Sequence, residues 1–292
     1  MRMTVPTLST WKVAEGTHKP LVMVTTYDYT FAKLAEAAGI DILLVGDSLG
    51  MVIQGQSSTL PVTLEEVIYH TRCVSRGASR ALVVADMPFL SYQISETHAI
   101  EAAGRLIKEG GAAAVKLEGG ESIAPTVRRL VNLDIPVMGH IGMTPQSIHR
   151  MGGYKVQGRA SATGAGSADH IMRDAKALED AGAFCVVIEC VPQDLATAIT
   201  KELSIPTIGI GAGTDCDGQV LVSYDLLGFE TSEHRPKFVK QFARLGQAVI
   251  DAFATYADEV RTKTFPSSAE CYGDDGSTPA LSHVDKKSIS NG

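Results

Sequence analysis

Eight short runs of apolar, mostly β-branched residues recur along the chain, and segments with helical character separate them. Each run has the near-continuous apolar sequence of a strand that is buried on both faces. The intervening segments repeat apolar residues with helical spacing and are rich in Ala, Glu and Lys. Strands that alternate with helices indicate a parallel sheet, and eight of them predict an α/β fold, the closed (β/α)8 TIM barrel; an open doubly wound sheet is the alternative. The runs lie at residues 21–28, 41–48, 81–88, 113–119, 135–142, 184–190, 205–212 and 219–225.

The two ends of the chain differ in composition. Residues 1–265 are predicted to form a single domain, the barrel with a closing C-terminal helix. Its last stretch, residues 234–265, has the pattern of one long amphipathic helix. Residues 266–292 are rich in Ser, Gly, Asp and Lys and poor in apolar residues, so we expect a disordered tail.

The overall charge limits the classes of partner. The chain has 26 Lys and Arg residues against 33 Asp and Glu residues, a net charge of −7. Such an acidic balance argues against a general nucleic-acid binder or a protein that binds anionic membranes. No apolar stretch approaches the roughly 20 residues that a membrane span requires, and the N-terminus has no apolar leader. Five scattered cysteines without a C-x-x-C pair argue against a disulfide scaffold, so we expect a cytoplasmic protein that acts on small molecules.

Polar side chains interrupt the apolar runs near their carboxyl ends, where a parallel barrel places its active site. In the sequence VKLE of the fourth run, side chains alternate with a period of two, so Lys116 and Glu118 share one face of the strand. The apolar residues on the other face should contact the helices, which predicts that Lys116 and Glu118 point into the barrel. The polar residues at the ends of the second to sixth runs are Asp47, Ser48, Asp86, Lys116, Glu118, His140 and Glu189.

Three of the four carboxylates in this set should converge on one another at the rim. No matching surplus of inward-facing arginines accompanies Asp47, Asp86 and Glu118. Carboxylates that lie so close together cannot all stay ionised without a cation. Ligands that are all oxygen atoms suit Mg²⁺ or Mn²⁺ better than zinc. The alternatives are a helix N-cap or loop hydrogen bonds for each acid, and a structural ion pair for Lys116.

Glu189 and His140 complete the candidate site. A carboxylate at the end of an apolar strand suits a general base, so we interpret Glu189 as the catalytic base. The alternative for Glu189 is a hydrogen bond to a neighbouring loop. For His140 we expect a hydrogen bond to a substrate or to a carboxylate, although a lone histidine is more often structural.

Two further stretches carry weaker signals. Residues 143–170 are long, polar and rich in glycine, which is typical of a lid over an active site or of a disordered loop. The sequence GIGAG at residues 209–213 follows a strand and could contact a phosphate or allow close approach of a ligand. It lacks the spacing of a dinucleotide-binding motif, so a plain tight turn is the alternative.

Several motifs in the chain are specific in combination. In chain order they are TTYDYTFAKLAEAAGID, VGDSLGMVIQG, ADMPFLSY, AVKLEGG, GHIGMTPQSIH, GGYKVQG and IGIGAG. Together they resemble the ketopantoate hydroxymethyltransferase (3-methyl-2-oxobutanoate hydroxymethyltransferase) family, and the resemblance covers residues 5–265. It implies a magnesium site at Asp47, Asp86 and Glu118, with one Mg²⁺ per subunit, and it implies Glu189 as the proton acceptor.

The family resemblance also implies the substrate contacts and the assembly. The groups around the 2-oxo acid would be Asp47 with Ser48, Asp86 and Lys116; His140 lies in a matching motif. The resemblance further implies a homodecamer.

The reaction that the resemblance implies transfers a hydroxymethyl group from the co-substrate 5,10-methylenetetrahydrofolate to 3-methyl-2-oxobutanoate. The products are 2-dehydropantoate and tetrahydrofolate, on the route to pantothenate and coenzyme A. Three alternatives stay open: a Mg²⁺-dependent carbon–carbon lyase or aldolase that uses no folate, a Schiff-base aldolase with Lys116 as nucleophile, and a barrel that binds ligands without catalysis.

Overall fold

The chain forms a closed barrel of eight parallel strands. A computed structural model describes residues 2–13, 18–229 and 236–272. The strands pair in chain order and the eighth pairs with the first, which confirms the predicted (β/α)8 barrel. An open doubly wound sheet is excluded because it would leave two unpaired edges. The strands are β1 Leu21–Thr25, β2 Ile42–Val45, β3 Leu82–Asp86, β4 Ala114–Glu118, β5 Val137–Gly142, β6 Cys185–Glu189, β7 Thr207–Ile210 and β8 Gly218–Leu221.

Helices follow most of the strands. The connection between β7 and β8 is an exception, because residues 211–217 form only turns and bends. No helix in the described part of the chain is both long and apolar enough to cross a membrane. Short 3-10 helices occupy Pro145–Ser147 and Gly164–Gly166. The α-helices are α1 Val5–Ser9, α2 Tyr29–Ala37, α3 Leu49–Val52, α4 Leu64–Gly77, α5 Glu96–Lys108, α6 Ala124–Val131, α7 Ile148–Met151, α8 Ala168–Asp180, α9 Gln193–Glu202, α10 Ser223–Leu227 and α11 Leu245–Thr262.

The period of two along each strand divides the apolar residues between two cores. One core lies inside the barrel, and the other lies between the strands and the surrounding helices. Val115 and Leu117 of β4 belong to the outer core, which confirms the predicted orientation of that strand. The inner core includes Met23, Ile42, Leu44, Val84, Ala114, Met138, Cys185, Val187 and Ile208.

Side-chain caps define where the longer helices begin. Thr63 accepts a hydrogen bond from Glu66 N, and the Glu66 carboxylate accepts one from Thr63 N, so α4 starts with a capping box. Asp28, Ser95 and Ser167 cap α2, α5 and α8 in the same way through one side-chain oxygen each. These caps fix the points at which the chain turns from the strand ends into the outer layer.

The N-terminal segment closes the end of the barrel that lies away from the carboxyl ends of the strands. Leu8 of α1 is fully buried in the inner core. Lys12 Nζ contacts Asp217 Oδ2 at 2.7 Å, and it donates to Thr200 O and Ile205 O. Asp217 directly precedes β8, so this ion pair joins the N-terminal segment to the start of the last strand.

The C-terminal region departs from the sequence prediction. Residues 236–244 are not helical, so the prediction of one helix over 234–265 is wrong there; residues 234 and 235 lie outside the described part. The backbone of this stretch bonds elsewhere: Val239 N donates to Pro236 O in a turn, and Phe242 N donates to Leu226 O, which is distant in sequence. In α11, the side chains of Ile250, Phe253 and Tyr256 are exposed.

Two compact units divide the chain, residues 1–243 and 244–292. The predicted boundary at residue 265 between a catalytic domain and a tail stays a prediction. Residues 266–272 form neither helix nor strand and are exposed. Residues 273–292, the rest of the predicted disordered tail, lie outside the described part.

Candidate active site

All seven predicted site residues line one cavity of about 610 Å³ at the carboxyl ends of the strands. Asp86, Lys116, Glu118, His140 and Glu189 lie within β3 to β6 at alternate positions that point into the barrel. Their chain separations are large, and the closed sheet brings them together. The prediction that these polar residues meet at one rim is therefore matched by the geometry, while their chemical roles stay predictions.

Strand register places Lys116 beside Asp86. The two residues are partners in the β3–β4 pairing, so their side chains leave the sheet side by side. Lys116 Nζ lies 2.9 Å from Asp86 Oδ1, and both side chains are about 5% exposed. A buried lysine and a buried carboxylate each need such a partner, since a charge that is removed from water alone costs several kcal/mol.

The next pair of strands sets His140 between two glutamates. Glu118 and His140 are partners in the β4–β5 register. His140 Nδ1 lies 3.3 Å from Glu118 Oε1, and Nε2 lies 3.0 Å from Glu189 Oε2. Lys116 Nζ is also within 3.2 Å of His140 Nδ1. His140 therefore connects the predicted base with the carboxylate cluster, in agreement with the expectation that it contacts a carboxylate.

Asp47 and Ser48 come from the turn that follows β2. The backbone N–H of Asp47 donates to Asp86 Oδ2 at 3.0 Å, which joins the two aspartates. Ser48 Oγ lies 2.9 Å from the hydroxyl of Tyr27, a side chain that is almost fully buried. Asp47 thus reaches the cluster from a turn and not from a strand position.

Gln146 is a site residue that the sequence reasoning did not single out. It lies in the 3-10 helix after β5 and is buried. Its backbone N–H donates to Glu118 Oε2 at 2.9 Å, and its Nε2 donates to Asp47 Oδ2 at 2.9 Å. The signal that could have identified it is a polar residue a few positions after a strand end, inside the motif GHIGMTPQSIH.

Burial and mutual repulsion dominate the electrostatics of the three carboxylates. Burial raises the pKa of Asp47, and the nearby charges of Asp86 and Glu118 raise it further. Burial also raises the pKa of Asp86, although the Lys116 ammonium offsets part of that effect. For Glu118, hydrogen bonding and charge contacts with His140 outweigh burial and lower the pKa. The cluster has more negative charge than its neighbouring lysine balances.

The two basic groups of the site both have raised pKa values. Burial lowers the pKa of Lys116, but the charges of Asp86, Glu118 and Asp47 outweigh it and the net shift is upward. Burial and Lys116 also lower the pKa of His140. The hydrogen bonds to Glu118 and Glu189 outweigh them and raise that pKa to about 9.

The oxygen atoms of the cluster suit a hard divalent cation. Asp86 Oδ1 is buried and accepts no hydrogen bond within the described residues; its contact is the charge of Lys116. Asp47, Asp86 and Glu118 are buried and offer carboxylate oxygens to the same cavity, and such oxygens are the donor type that Mg²⁺ prefers. The residues that are present fit the predicted metal.

The two weaker sequence signals have different outcomes in the structure. Tyr154, Lys155 and Val156 from the predicted lid line the cavity, so that stretch supplies part of its wall. Its movement as a lid stays a prediction. In the GIGAG run, a Cβ on Gly213 would lie 2.5 Å from the side chain of Gln193, so this backbone packs against protein. That contact agrees with the tight-turn alternative.

A second cluster of ionisable residues lies beside a neighbouring cavity. Glu121, His170 and Asp174 place one potential ligand atom each within 4.8 Å of one another. Arg173 contacts both of the first two, at 3.5 Å from Glu121 Oε1 and 3.0 Å from His170 Nδ1. Because an arginine already supplies positive charge there, the arrangement is a surface ion-pair network.

Solved structures with the same fold agree with the barrel topology. A 2,3-dimethylmalate lyase of the PEP mutase/isocitrate lyase superfamily has a TM-score of 0.58 at 17% identity, over 89% of this chain and 86% of that one. A phosphonopyruvate hydrolase in complex with oxalate and Mg²⁺ has a TM-score of 0.58 at 12% identity, over 93% of each chain. At these identities the similarity concerns the fold alone.

Sequence comparisons identify the family. Residues 2–268 match the model of the family described as ketopantoate hydroxymethyltransferase. The 3-methyl-2-oxobutanoate hydroxymethyltransferase of Moorella thermoacetica is 57% identical over 91% of this chain and 96% of its own length. The enzyme of the same name from Clostridium novyi is 54% identical over 91% and 95%. Both the fold and the sequence agree with the resemblance seen in the motifs, and the chain belongs to the ketopantoate hydroxymethyltransferase family of transferases.

Proposed function

We propose that the chain transfers a hydroxymethyl group from 5,10-methylenetetrahydrofolate to 3-methyl-2-oxobutanoate. The products are 2-dehydropantoate and tetrahydrofolate, in pantothenate biosynthesis. The observation that carries the proposal is the convergence of Asp47, Asp86 and Glu118 with Lys116 and Glu189 in one cavity. This set contains cation ligands, a positive charge for an anionic substrate and a separate base. The relatives carry the name of the same reaction.

One Mg²⁺ per subunit is the proposed cofactor, held by Asp47, Asp86 and Glu118. When bound, it supplies a Lewis acid that stabilises negative charge on the keto oxygen of the substrate. The described carboxylates carry surplus negative charge, and burial raises the pKa of Asp47 and Asp86 when no cation is present. A divalent cation relieves that repulsion, which is why the cluster favours a metal over three simple hydrogen-bonding acids.

The remaining residues of the cavity match the two ends of a branched 2-oxo acid. Lys116 carries the charge that offsets the substrate carboxylate, and Ser48 Oγ supplies a hydroxyl at the same rim. Apolar side chains of the inner core also line this cavity and suit an isopropyl group. These apolar lining residues are Leu44, Val187, Ile210 and Val220.

Glu189 removes the proton from C3 of the substrate in this proposal. Its carboxylate lies in the cavity at the end of β6, and its Oε2 is 3.0 Å from His140 Nε2. His140 holds that carboxylate in place through this contact. Water supplies the oxygen of the transferred group: it adds to the one-carbon unit of the folate, both C–N bonds of that carbon break, and tetrahydrofolate leaves. The electron pair that remains on C3 forms the new carbon–carbon bond to this carbon, and its oxygen takes the proton that Glu189 removed, which gives the hydroxymethyl group. Burial of the side chains that line the cavity limits the access of water to C3 before that bond forms.

Deuterium exchange at C3 of 3-methyl-2-oxobutanoate tests the proposal most directly. The purified chain in D₂O with Mg²⁺ should exchange the C3 proton, and NMR would record the loss of its signal, with and without tetrahydrofolate. EDTA should stop the exchange. Full exchange in EDTA would contradict the metal, and absence of exchange with Mg²⁺ would contradict the whole proposal. Product formation that depends on 5,10-methylenetetrahydrofolate separates this reaction from a folate-independent lyase.

The Schiff-base alternative is disfavoured by the state of Lys116. A lysine nucleophile must lose its proton, whereas Lys116 contacts Asp86 at 2.9 Å and its pKa is raised. Borohydride treatment in the presence of the 2-oxo acid should therefore leave the mass of the chain unchanged. An adduct on Lys116 would restore the aldolase alternative.

Two further proposals remain. A cytoplasmic location rests on the scattered cysteines, and assembly into a homodecamer rests on the family resemblance. Light scattering coupled to size-exclusion chromatography measures the mass of the assembly, and a mass other than ten chains would contradict the second proposal.

A further inference from the structure

Gln146 uses its complete side-chain hydrogen-bonding capacity inside the site. Nε2 donates to Asp47 Oδ2 at 2.9 Å and to Met87 O at 3.0 Å. Oε1 accepts from the hydroxyl of Tyr92 at 2.8 Å and from Gln93 Nε2 at 3.1 Å. An amide has two N–H donors and two acceptor lone pairs, and all four are used here. Gln146 therefore has no side-chain capacity left for a substrate and acts on other protein groups.

The neighbours of Gln146 determine the orientation of its amide. Both partners of Nε2 are acceptors, a carboxylate oxygen and a backbone carbonyl. Both partners of Oε1 can donate. Rotating the amide by half a turn would place oxygen against oxygen at Asp47 and Met87, so one orientation is enforced.

The backbone of the same residue reaches a second carboxylate. Gln146 N donates to Glu118 Oε2 at 2.9 Å, and Tyr92, which donates to Gln146, also accepts from Glu118 N at 3.1 Å. Gln146 thus holds Asp47, which follows β2, through its side chain, and it holds Glu118 of β4 through its main chain. Its carbonyl partner Met87 follows Asp86 directly, so all three acidic segments meet at Gln146.

Backbone or amide N–H donors hold one oxygen of each carboxylate, while the other oxygen of Glu118 faces His140 Nδ1 at 3.3 Å and that of Asp86 faces Lys116 Nζ at 2.9 Å. Gln146 holds Asp47 Oδ2 and Glu118 Oε2, and Asp47 N holds Asp86 Oδ2. Within the described residues, Asp86 Oδ1 accepts no hydrogen bond. Such one-sided anchoring is how protein donors orient carboxylates toward a cation.

We propose that Gln146 is a positioning residue: by holding Asp47 Oδ2 and Glu118 Oε2 it orients these two carboxylates toward the bound cation. The inference rests on the proposed function, because it takes these acids as the metal ligands. In this role Gln146 contributes to the affinity for the metal without contacting the substrate. Removing the amide should let Asp47 rotate and should weaken cation binding before any chemistry takes place.

Metal binding measured without substrate tests this proposal. The full chain is freed of metal, and Mn²⁺ is titrated while EPR records the free ion. The variant Gln146→Met keeps the length of the side chain and removes its four hydrogen bonds. We expect the Kd for Mn²⁺ to rise about ten- to hundredfold, the effect that loss of a partner of a metal ligand has elsewhere. Turnover should recover for the most part at saturating Mg²⁺.

Gln93→Met is the matched control. Gln93 is exposed and donates to Gln146 Oε1 without contacting any of the three acids. It should change the Kd by less than about threefold if the decisive contact is the one from Gln146 Nε2 to Asp47. Gln146→Asn gives a second variant that keeps an amide and the backbone N–H but withdraws Nε2 from Asp47, and its Kd should also rise.

The outcomes separate this inference from the function on which it rests. Tight Mn²⁺ binding by the unaltered chain, with an unchanged Kd in both folded Gln146 variants, would overturn the positioning role and leave the metal site intact. A chain that binds no Mn²⁺ would overturn both. An equal rise in Gln93→Met would also overturn the inference, because the effect would then not depend on the contact with Asp47.

Discussion

At the scale of single residues, the period of two in a strand predicted most of the site. Lys116 and Glu118 were placed inside the barrel because two apolar residues alternate with them, and both line the cavity. Gln146 could not be found in this way, since it lies in a 3-10 helix where no alternation reports which side chain points inward. The hydrogen bonds of a loop residue depend on neighbours that are distant in sequence.

Glu189→Gln should separate binding from proton removal. The amide keeps the size of the side chain and can still accept from His140 Nε2, which lies 3.0 Å from Glu189 Oε2. It cannot take a proton, so exchange at C3 should fall about 100-fold or more. Calorimetry with Mg²⁺ should show nearly unchanged binding of the 2-oxo acid. Glu101→Gln, at an exposed position on α5, is the control. Exchange at the rate of the unaltered chain would remove Glu189 from the role of base.

Asp86→Asn should weaken metal-dependent activity in a way that excess Mg²⁺ restores only in part. The substitution removes the charge that faces Lys116 Nζ at 2.9 Å and one of three acidic ligands. More Mg²⁺ compensates for lower affinity but cannot replace the lost charge balance at Lys116. Activity measured against Mg²⁺ concentration gives both the affinity and the plateau. Asp169→Asn, an exposed acid in the first turn of α8, should leave both unchanged. Full recovery at high Mg²⁺ would mean that Asp86 contributes affinity alone.

At the scale of elements, apolar patterns located the strands better than the last helix. All eight strands fall within or overlap the predicted runs, although β8 begins one residue earlier and ends at Leu221. The stretch before α11 has helix-like apolar spacing too, yet Phe242 N bonds to Leu226 O instead of continuing a helix. The spacing of apolar residues along a segment does not indicate a hydrogen bond to a residue that is distant in sequence.

Glu36 links helix α2 to the start of strand β3 and gives a pH-dependent test. Its carboxylate accepts from Arg80 N and Ala81 N, both at 2.6 Å, and from Ser79 Oγ at 2.7 Å. Burial alone would raise the pKa, but these hydrogen bonds outweigh it and lower the pKa from 4.5 to about 2. A depressed pKa in the folded state adds stability that is complete above pH 4.5 and is lost as the pH falls toward 2.

Glu36→Gln should therefore reduce the free energy of unfolding most at neutral pH. We expect a loss of about 1–2 kcal/mol at pH 7, reduced from the full linkage value because the side chain is partly exposed. Urea unfolding at a series of pH values should show the difference from the unaltered chain shrinking between pH 5 and pH 3. Glu101→Gln should show no such trend. A difference that stays constant with pH would mean that the carboxylate charge does not contribute.

At the scale of the whole molecule, closure of the eight-stranded barrel brings the site residues together. Residues from five successive strands and turns meet because β8 pairs with β1 and curves the sheet on itself. The sequence predicted that closure from the number of runs. It could not show how the far end of the barrel is sealed, because the sealing contact joins residues that are 205 positions apart.

Lys12→Met should destabilise the whole barrel through that contact. Lys12 Nζ lies 2.7 Å from Asp217 Oδ2, and the side chains are 11% and 1% exposed. Asp217 also accepts from Val13 N and Thr207 N, so it cannot turn toward water when the ammonium is lost. Breaking a buried pair on one side leaves an uncompensated charge, and we expect a loss of about 3–5 kcal/mol in urea unfolding.

Lys19→Met is the matched control, because Lys19 is exposed and the substitution is the same. Its free energy of unfolding should differ from that of the unaltered chain by no more than about 0.5 kcal/mol. Because the ion pair lies at the sealed end of the barrel, away from the metal ligands, Lys12→Met should leave Mn²⁺ affinity unchanged at temperatures where the chain is folded. A large fall in affinity together with unchanged stability would show that Lys12 acts on the site and not on the closure of the barrel.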